Sequence, residues 1–485
     1  MQRIHLKNFW IFFPFLFLFI IVGRIIMEDA MFTTTVIVTL CFLVVVYLGF
    51  FKKSILIGLC IFSIPLSQNL TDAQLLSAIN IPTEPIVFIL AFIGLLFGIA
   101  KPFYLKKIIF HPITLLLFID LLWLIIASLV STMPIVSYKR ILMRSAFLLV
   151  FYLLAAQWMS HKENMIKFFL LYAIGLITPI LFTIYKHSFY YFDPRVVFEL
   201  SLPFYNEHTV YGACLAFLIP FLLIISFHAK SISSSNIARI GIWALTILVI
   251  IAEILCFSRA AWLSLGVSLL MYIFLKFKLK FWIFILLFIS FACIVYQNRE
   301  RIYLYTLQNE NISNKGEIKE HLMSVGNLNS DASNLERLNR WSSAFRMYSD
   351  KPTTGFGPGT YQFQYGLYQL PHEMTSISTI KGDKGNAHSE FLTYLSESGL
   401  PGAISYIIWL FGTIAIGIRA YSRAKDKMLK NIVLAALLGF MTFFFHGLVN
   451  SFLDQVKMAS LVFGSMAIMV VVDIANKYKP KKDET

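Results

Sequence analysis

Apolar runs of about twenty residues recur along almost the whole chain, separated by short polar linkers and one long polar stretch. A run of that length crosses about 30 Å of hydrocarbon as an α-helix. In lipid the backbone has to satisfy its own hydrogen bonds, so each run is predicted to be helical. About fourteen spans follow, at roughly 9–27, 32–51, 54–67, 85–100, 112–130, 138–158, 165–186, 209–227, 240–257, 260–275, 281–297, 402–420, 430–450 and 457–475. The third is short and breaks at Pro65. The expected fold class is all-α: a polytopic membrane protein with about 12–14 transmembrane helices. Three regions result: 1–297 with about eleven spans, a polar loop at 298–400, and 401–485 with the last spans and a basic tail.

Charge adds an orientation. Lys52-Lys53, Lys101 with Lys106 and Lys107, Lys276/Lys278/Lys280, Arg419 through Lys430, and Lys477 through Lys482 all fall on one side under strict alternation. The positive-inside rule makes that side cytoplasmic, with both termini inside and the 298–400 loop outside. Composition agrees with membrane residence: 58% of residues are hydrophobic and 14% charged, more apolar surface than a soluble chain can hide. The net charge of +15 sits in these linkers rather than on a folded domain, which argues against a nucleic-acid partner. All five cysteines lie in apolar runs and read as small packing residues, not a disulfide framework. The first run follows Arg3 and Lys7 but lacks a small-residue cleavage site, so it reads as a retained helix.

Within the long loop, residues 311–334 are rich in Asn, Ser and Gly and read as a flexible lead-in. Leu335 to Tyr348 has helical spacing, with Leu338, Trp341, Phe345 and Tyr348 on one face. Asp350-Lys351-Pro352 ends that helix, and Gly355-Phe356-Gly357-Pro358-Gly359 is turn chemistry. Asn386 is the expected cap of a helix starting at Ala387, Gly399 its stop, and Pro401 part of the first turn of the next span.

That places His388 in the first turn of a short outer helix. The positive end of a helix disfavours imidazolium, which leaves a neutral ring able to accept a proton. The competing reading is an interfacial histidine bonded to backbone or lipid headgroups. Arg259 lies between two spans, where its planar fork suits phosphate oxygens but also suits snorkelling to lipid headgroups. Lys139, Arg140 and Arg144 stand at the outer start of a span, against the charge bias; an anionic ligand and a lipid-headgroup contact explain them equally well. Arg337 and Arg340 read first as solvated charges. Asp120 is mid-span and His446 near an outer span end, each either functional or bonded to a neighbouring helix. No phosphate-binding Gly-rich loop, His-Glu-x-x-His or Cys/His cluster is present, so neither a cofactor nor a metal is expected.

Taken together, these pieces resemble the O-antigen ligase and polymerase superfamily of bacterial envelope glycosyltransferases. His388-Ser389, nine residues, Gly399, two residues, Gly402 is similar to the ligase signature. Arg340-Trp341 to Pro352-x-x-Gly355-x-Gly357 resembles the element before that histidine. Ser258-Arg259-Ala260-Ala261 is similar to the family's Ser-Arg-Gly-Ala, with Ala260 where Gly is usual, and Asn206 with Pro220 also fits. The resemblance implies a GT-C-like fold with its site facing the periplasm from the bacterial inner membrane. It also implies a polyprenyl-diphosphate-linked glycan donor and a glycolipid acceptor. On that basis Arg259, with Arg140 or Arg144, holds the diphosphate, His388 is the base, and Arg340 orients donor or acceptor. Lys139 and Asn206 join the binding set. Ligase, polymerase and protein O-oligosaccharyltransferase share this chemistry, while a glycolipid flippase would bind the same lipid without making a bond.

Overall fold

The computed structural model describes residues 43–72, 77–100, 102–232, 234–298, 332–375, 378 and 385–477. The expected first span, most of the second and the 311–331 part of the lead-in lie outside the described residues. The chain divides into two compact units at Leu59/Cys60. Residues 43–51 of the first are helical, and α1 (Lys53–Ser63) begins there. As Pro65 foretold, α1 stops early, and an antiparallel hairpin follows, β1 (Gln68–Asp72) with β2 (Ser77–Ile81).

The remaining elements of the second unit are helical, which makes the protein an all-α polytopic membrane protein. They are α2 (Thr83–Ala100), α3 (Pro102–Ile109), α4 (Pro112–Leu129), α5 (Pro134–Trp158), α6 (Lys162–Ser188), α7 (His208–Phe227), α8 (Asn236–Leu255), α9 (Arg259–Lys276), α10 (Phe281–Gln297), α11 (Ala332–Asp350), α12 (Glu390–Arg423), α13 (Lys427–Val449) and α14 (Val456–Lys477). Among the described residues nine helices are long and apolar enough to cross a membrane: α4 to α9 and α12 to α14. Local chemistry starts several of them. The His111 ring accepts the Ile113 amide at α4, with Pro112 in the first position, and Asp426 accepts the Leu429 amide at α13. A π-helical stretch, Leu148–Leu154, runs inside α5.

Burial sorts the helices. Nearly every residue of α14 is enclosed, as are most of α7 and α13, so these three form the centre. The helices α4, α8 and α9 present more of their apolar side chains outward, such as Leu122, Ile125, Ile251, Leu269 and Leu270. Close packing rather than water exclusion holds such helices together. At Gly464, for example, a Cβ would fall 2.4 Å from the Phe168 ring. Cys60, Cys214 and Cys256 are buried packing residues, but Cys293 is exposed on α10, which corrects the expectation for it; Cys41 lies outside the described residues.

The helix ends gather into two groups. At one, His111 and Arg419 meet Asp473 (3.3 Å from the imidazole, 2.6 Å from the guanidinium), and Lys162 approaches Asp426. At the other, Lys457 donates to the carbonyls of Ser67 and Phe204, Arg140 pairs with Asp454, and Thr132 N–H bonds Phe356 O. The described residues of the polar segment, 332–375, 378 and 385–389, fold over this second end. Their small core is Ala344, Met347, Phe356, Tyr361, Tyr365 and Ala387.

The predicted helix in that segment exists, but its buried face does not match. Leu335, Glu336, Asn339, Ser343, Ala344 and Met347 point inward, while Phe345 is exposed. Polar positions go inside because they find partners there. Glu336 accepts from Arg340 (2.7 Å), Thr375 and Ser378, and Asn339 donates to Gln369 at 2.8 Å.

Candidate active site

The turn Gly355–Gly359 is clamped onto the start of α12. Phe356 and Gly357 amides donate to the carbonyls of Ser396 and Glu397, at 3.0 and 2.8 Å. The Glu397 carboxylate in turn accepts the Gly359 and Tyr361 amides, at 2.7 and 3.0 Å. Here α12 is broken: Gly399 has φ 69° and ψ −173°, and its missing side chain admits Thr353 O, which would lie 2.1 Å from a Cβ. Two sequence motifs thus interlock at a backbone-on-backbone contact.

The helix expected from Ala387 begins later, at Glu390. His388 has φ 45°, and Ser389 is extended at φ −165°, so neither residue is helical. Asn386 still does capping work of a kind, because its side-chain oxygen accepts the His388 amide at 2.9 Å. His388 is therefore presented on a bent, left-handed residue just ahead of the helix, a strained geometry of the sort that functional sites retain. Two contacts from α11 fix it. Trp341 Nε1 donates to His388 O at 3.1 Å, and Arg340 Nη1 donates to Asn386 O at 3.1 Å. Arg340 Nε is held by Glu336, and its guanidinium lies over the Tyr365 ring.

Burial, followed by the charges of Arg337 and Arg340, lowers the His388 imidazole from its ordinary value to about 3, against a weaker opposing effect of Asn450. The ring is neutral across the physiological range, as the helix-end argument anticipated, but for another reason. Among the described residues its Nδ1 has no hydrogen-bond partner. Glu207, which precedes α7, is half-buried near the same two arginines, and desolvation raises its carboxyl. On the other flank Glu390 accepts the Phe452 and Leu453 amides, at 2.5 and 2.6 Å, and so ties α12 to the loop after α13.

The other predicted residues divide. Arg140 is partly exposed, pairs with Asp454 at 2.9 Å, and lines a cleft with Arg144, Thr393, Tyr394, Glu397 and Asp454. Arg144 is buried: its guanidinium donates to Tyr394 at 2.6 Å, lies 3.7 Å from Asp120 and rests over the Phe463 ring. Asp120 also accepts from Tyr394 and Ser405, which gives the mid-span carboxylate a full set of partners. Lys139 and Asn206 are exposed, Asn206 immediately before Glu207. Arg259 is the first residue of α9, partly buried, behind a turn in which Phe257 has φ 48°.

Residues 244–407 match the family model described as O-antigen ligase. That match covers about a third of the chain and supports the likeness to the O-antigen ligase and polymerase superfamily. No curated protein matches the chain. The O-antigen ligase stretch runs from α8 through the first half of α12, and so includes Arg259, Arg337, Arg340 and His388. Arg140, Arg144, Asn206, His446 and Asn450 stand outside it, and of these Asn450 is brought beside the His388 ring. Glu207, Glu390, Glu397 and Asn450 escape a reading of motifs, since each acts on backbone or charge contributed by distant segments. The one visible signal is the pair of acidic residues, seven apart, at the start of an otherwise apolar helix.

Proposed function

We propose that this membrane glycosyltransferase moves a glycan from polyprenyl diphosphate to a lipid A-core acceptor, in the manner of an O-antigen ligase. Its place is the bacterial inner membrane, with both termini cytoplasmic and the His388 end facing the periplasm. Polymerisation onto a second polyprenyl-linked repeat is the same chemistry with another acceptor. The observation that carries the reading is His388, neutral, with an unpartnered ring nitrogen and two guanidinium groups beside it, at a span end where a lipid-tethered substrate arrives.

In the proposed step His388 takes the proton of an acceptor hydroxyl, whose oxygen attacks the anomeric carbon. The bond from that carbon to the diphosphate oxygen breaks, the leaving diphosphate keeps the electron pair, and the anomeric configuration inverts. Arg259 and Arg140 receive the diphosphate, Arg140 being better exposed than Arg144, with Lys139 and Asn206 at the rim. Their charge-assisted bonds strengthen as negative charge develops on the leaving group. Arg340 holds the Asn386–His388 segment in place. Arg337 and Arg340 add a coupling: an anionic substrate offsets their charge, so the imidazole becomes a stronger base once the donor is bound.

The test is transfer by purified protein in nanodiscs, given a defined polyprenyl-diphosphate-linked oligosaccharide and lipid A-core. Free polyprenyl diphosphate should appear in proportion to glycosylated acceptor, and both His388→Ala and His388→Gln should abolish it. Activity retained in both variants removes the base assignment. Donor bound but never cleaved, with any acceptor, favours a transporter instead.

A further inference from the structure

Several polar side chains beside His388 are buried without the partners their chemistry requires. His446, in the last turn of α13, is fully buried, and neither ring nitrogen has a hydrogen-bond partner among the described residues. Asn450 follows at the end of that helix, 1% exposed. It lies close enough to act on the His388 ring, yet no bond of good geometry reaches its amide oxygen or nitrogen. The Tyr406 hydroxyl is in the same condition, as is His388 Nδ1. Native structures seldom leave buried polar groups unpaired, so a concentration of them at one place asks for an absent partner.

These groups are neighbours. The Asn450 backbone N–H donates to His446 O at 2.7 Å, and Ser389 Oγ to Gly447 O at 3.4 Å. A Cβ on Gly447 would lie 3.3 Å from Tyr406 Oη and 3.5 Å from Glu390 Cγ, so the glycine leaves room between them. Arg337 acts on both imidazoles. Aromatic rings wall the space: Phe452 stands 5.9 Å from His446, and Phe391 5.1 Å from Tyr406, edge-on.

We propose that His446, Asn450 and Tyr406 form the subsite that binds the acceptor sugar and presents its hydroxyl to His388. This rests on the glycosyl-transfer reading above. An amide and a phenol each both donate and accept, and the imidazoles add further sites of each kind, which matches hydroxyls that do both. The set offers no charge of its own for a phosphate, and aromatic walls suit the apolar faces of a sugar ring. The same groups are covered in this state.

The experiment compares wild type with His446→Phe, His446→Gln and Asn450→Ala in nanodiscs. The probes are a polyprenyl-diphosphate-linked oligosaccharide as donor, with lipid A-core or a second donor molecule as acceptor. Loss of a hydroxyl-binding group should lower kcat/KM for the acceptor about tenfold or more in His446→Phe and Asn450→Ala. With lipid A-core as acceptor, the arm in which the two KM values are separable, KM for the donor should stay as in wild type, and His446→Gln, which keeps a donor and an acceptor, should recover part of the loss. An unchanged acceptor kcat/KM, or donor and acceptor KM rising together in every variant, overturns the subsite. Should His446→Phe fail to insert, His446→Gln and Asn450→Ala carry the same comparison. Wild type that transfers to neither acceptor removes the glycosyl-transfer reading itself, and the subsite with it.

Discussion

Replacing Gly399 with alanine should loosen the segment over the His388 end without disturbing the spans. The backbone there, φ 69° and ψ −173°, is nearly closed to residues with a side chain, and such conformations cost about 1–3 kcal/mol. The new Cβ would also lie 2.1 Å from Thr353 O, 2.4 Å from Thr353 C and 2.7 Å from Pro352 O. All three are main-chain atoms, so relief means retreat of the 352–353 backbone. That retreat breaks the bond from the Leu400 amide to Pro352 O, 2.9 Å long, for about 1 kcal/mol more. The total, about 2–4 kcal/mol, is a roughly 30- to 1000-fold rise in the fraction of molecules with this contact open. Hydrogen exchange of peptides covering 352–361 and 397–400, measured in nanodiscs, reads that fraction directly. Gly266→Ala in α9 is the matched control, because nothing stands within 4 Å of its Cβ. Unaltered protection in Gly399→Ala, or the same change in both variants, would show that the glycine is not holding the two motifs together.

Two further outcomes follow from the site's electrostatics. A base must be neutral to act, and His388 at about 3 is neutral in the free protein, so kcat/KM should stay flat as pH falls from 7 to 5. In the donor complex the arginine charges are offset and the imidazole rises, so the acid limb of kcat should lie at higher pH than that of kcat/KM; a kcat/KM limb near the ordinary histidine value would refute the burial argument. The buried Asp120–Arg144 pair should behave as a unit: Asp120→Leu alone strands the guanidinium and should cost about 3–5 kcal/mol, while adding Arg144→Met should restore most of it. Thermal unfolding in detergent checks this, and simple additivity of the two substitutions would count against the pair.

Much of this protein is legible in the order of its residues, for reasons that are local. A twenty-residue apolar run in lipid has one backbone solution, so the helices and their approximate bounds follow from hydropathy. Punctuation is local as well: Pro65, Asp350-Lys351-Pro352 and Gly399 each interrupt a helix where the sequence places them. Other features depend on what distant segments bring. Hydropathy put Phe345 on the inner face of α11, but Glu336 and Asn339 occupy it because residues 369–378 supply their partners. Asn386 looked like the cap of a helix from Ala387, yet Arg340 and Trp341 pull that stretch into a left-handed bend, and the helix waits until Glu390. Four cations, Lys139, Arg140, Arg144 and Arg259, stood near spans with similar claims on an anion, and only packing separated the committed Arg144 from the more open Arg140. His388 was visible from its motif. The burial that chiefly lowers its proton affinity is tertiary, and the arginine charges that add to it, with His446 and Asn450, come from segments about 50 residues before it and 60 after, which only the folded chain puts within reach.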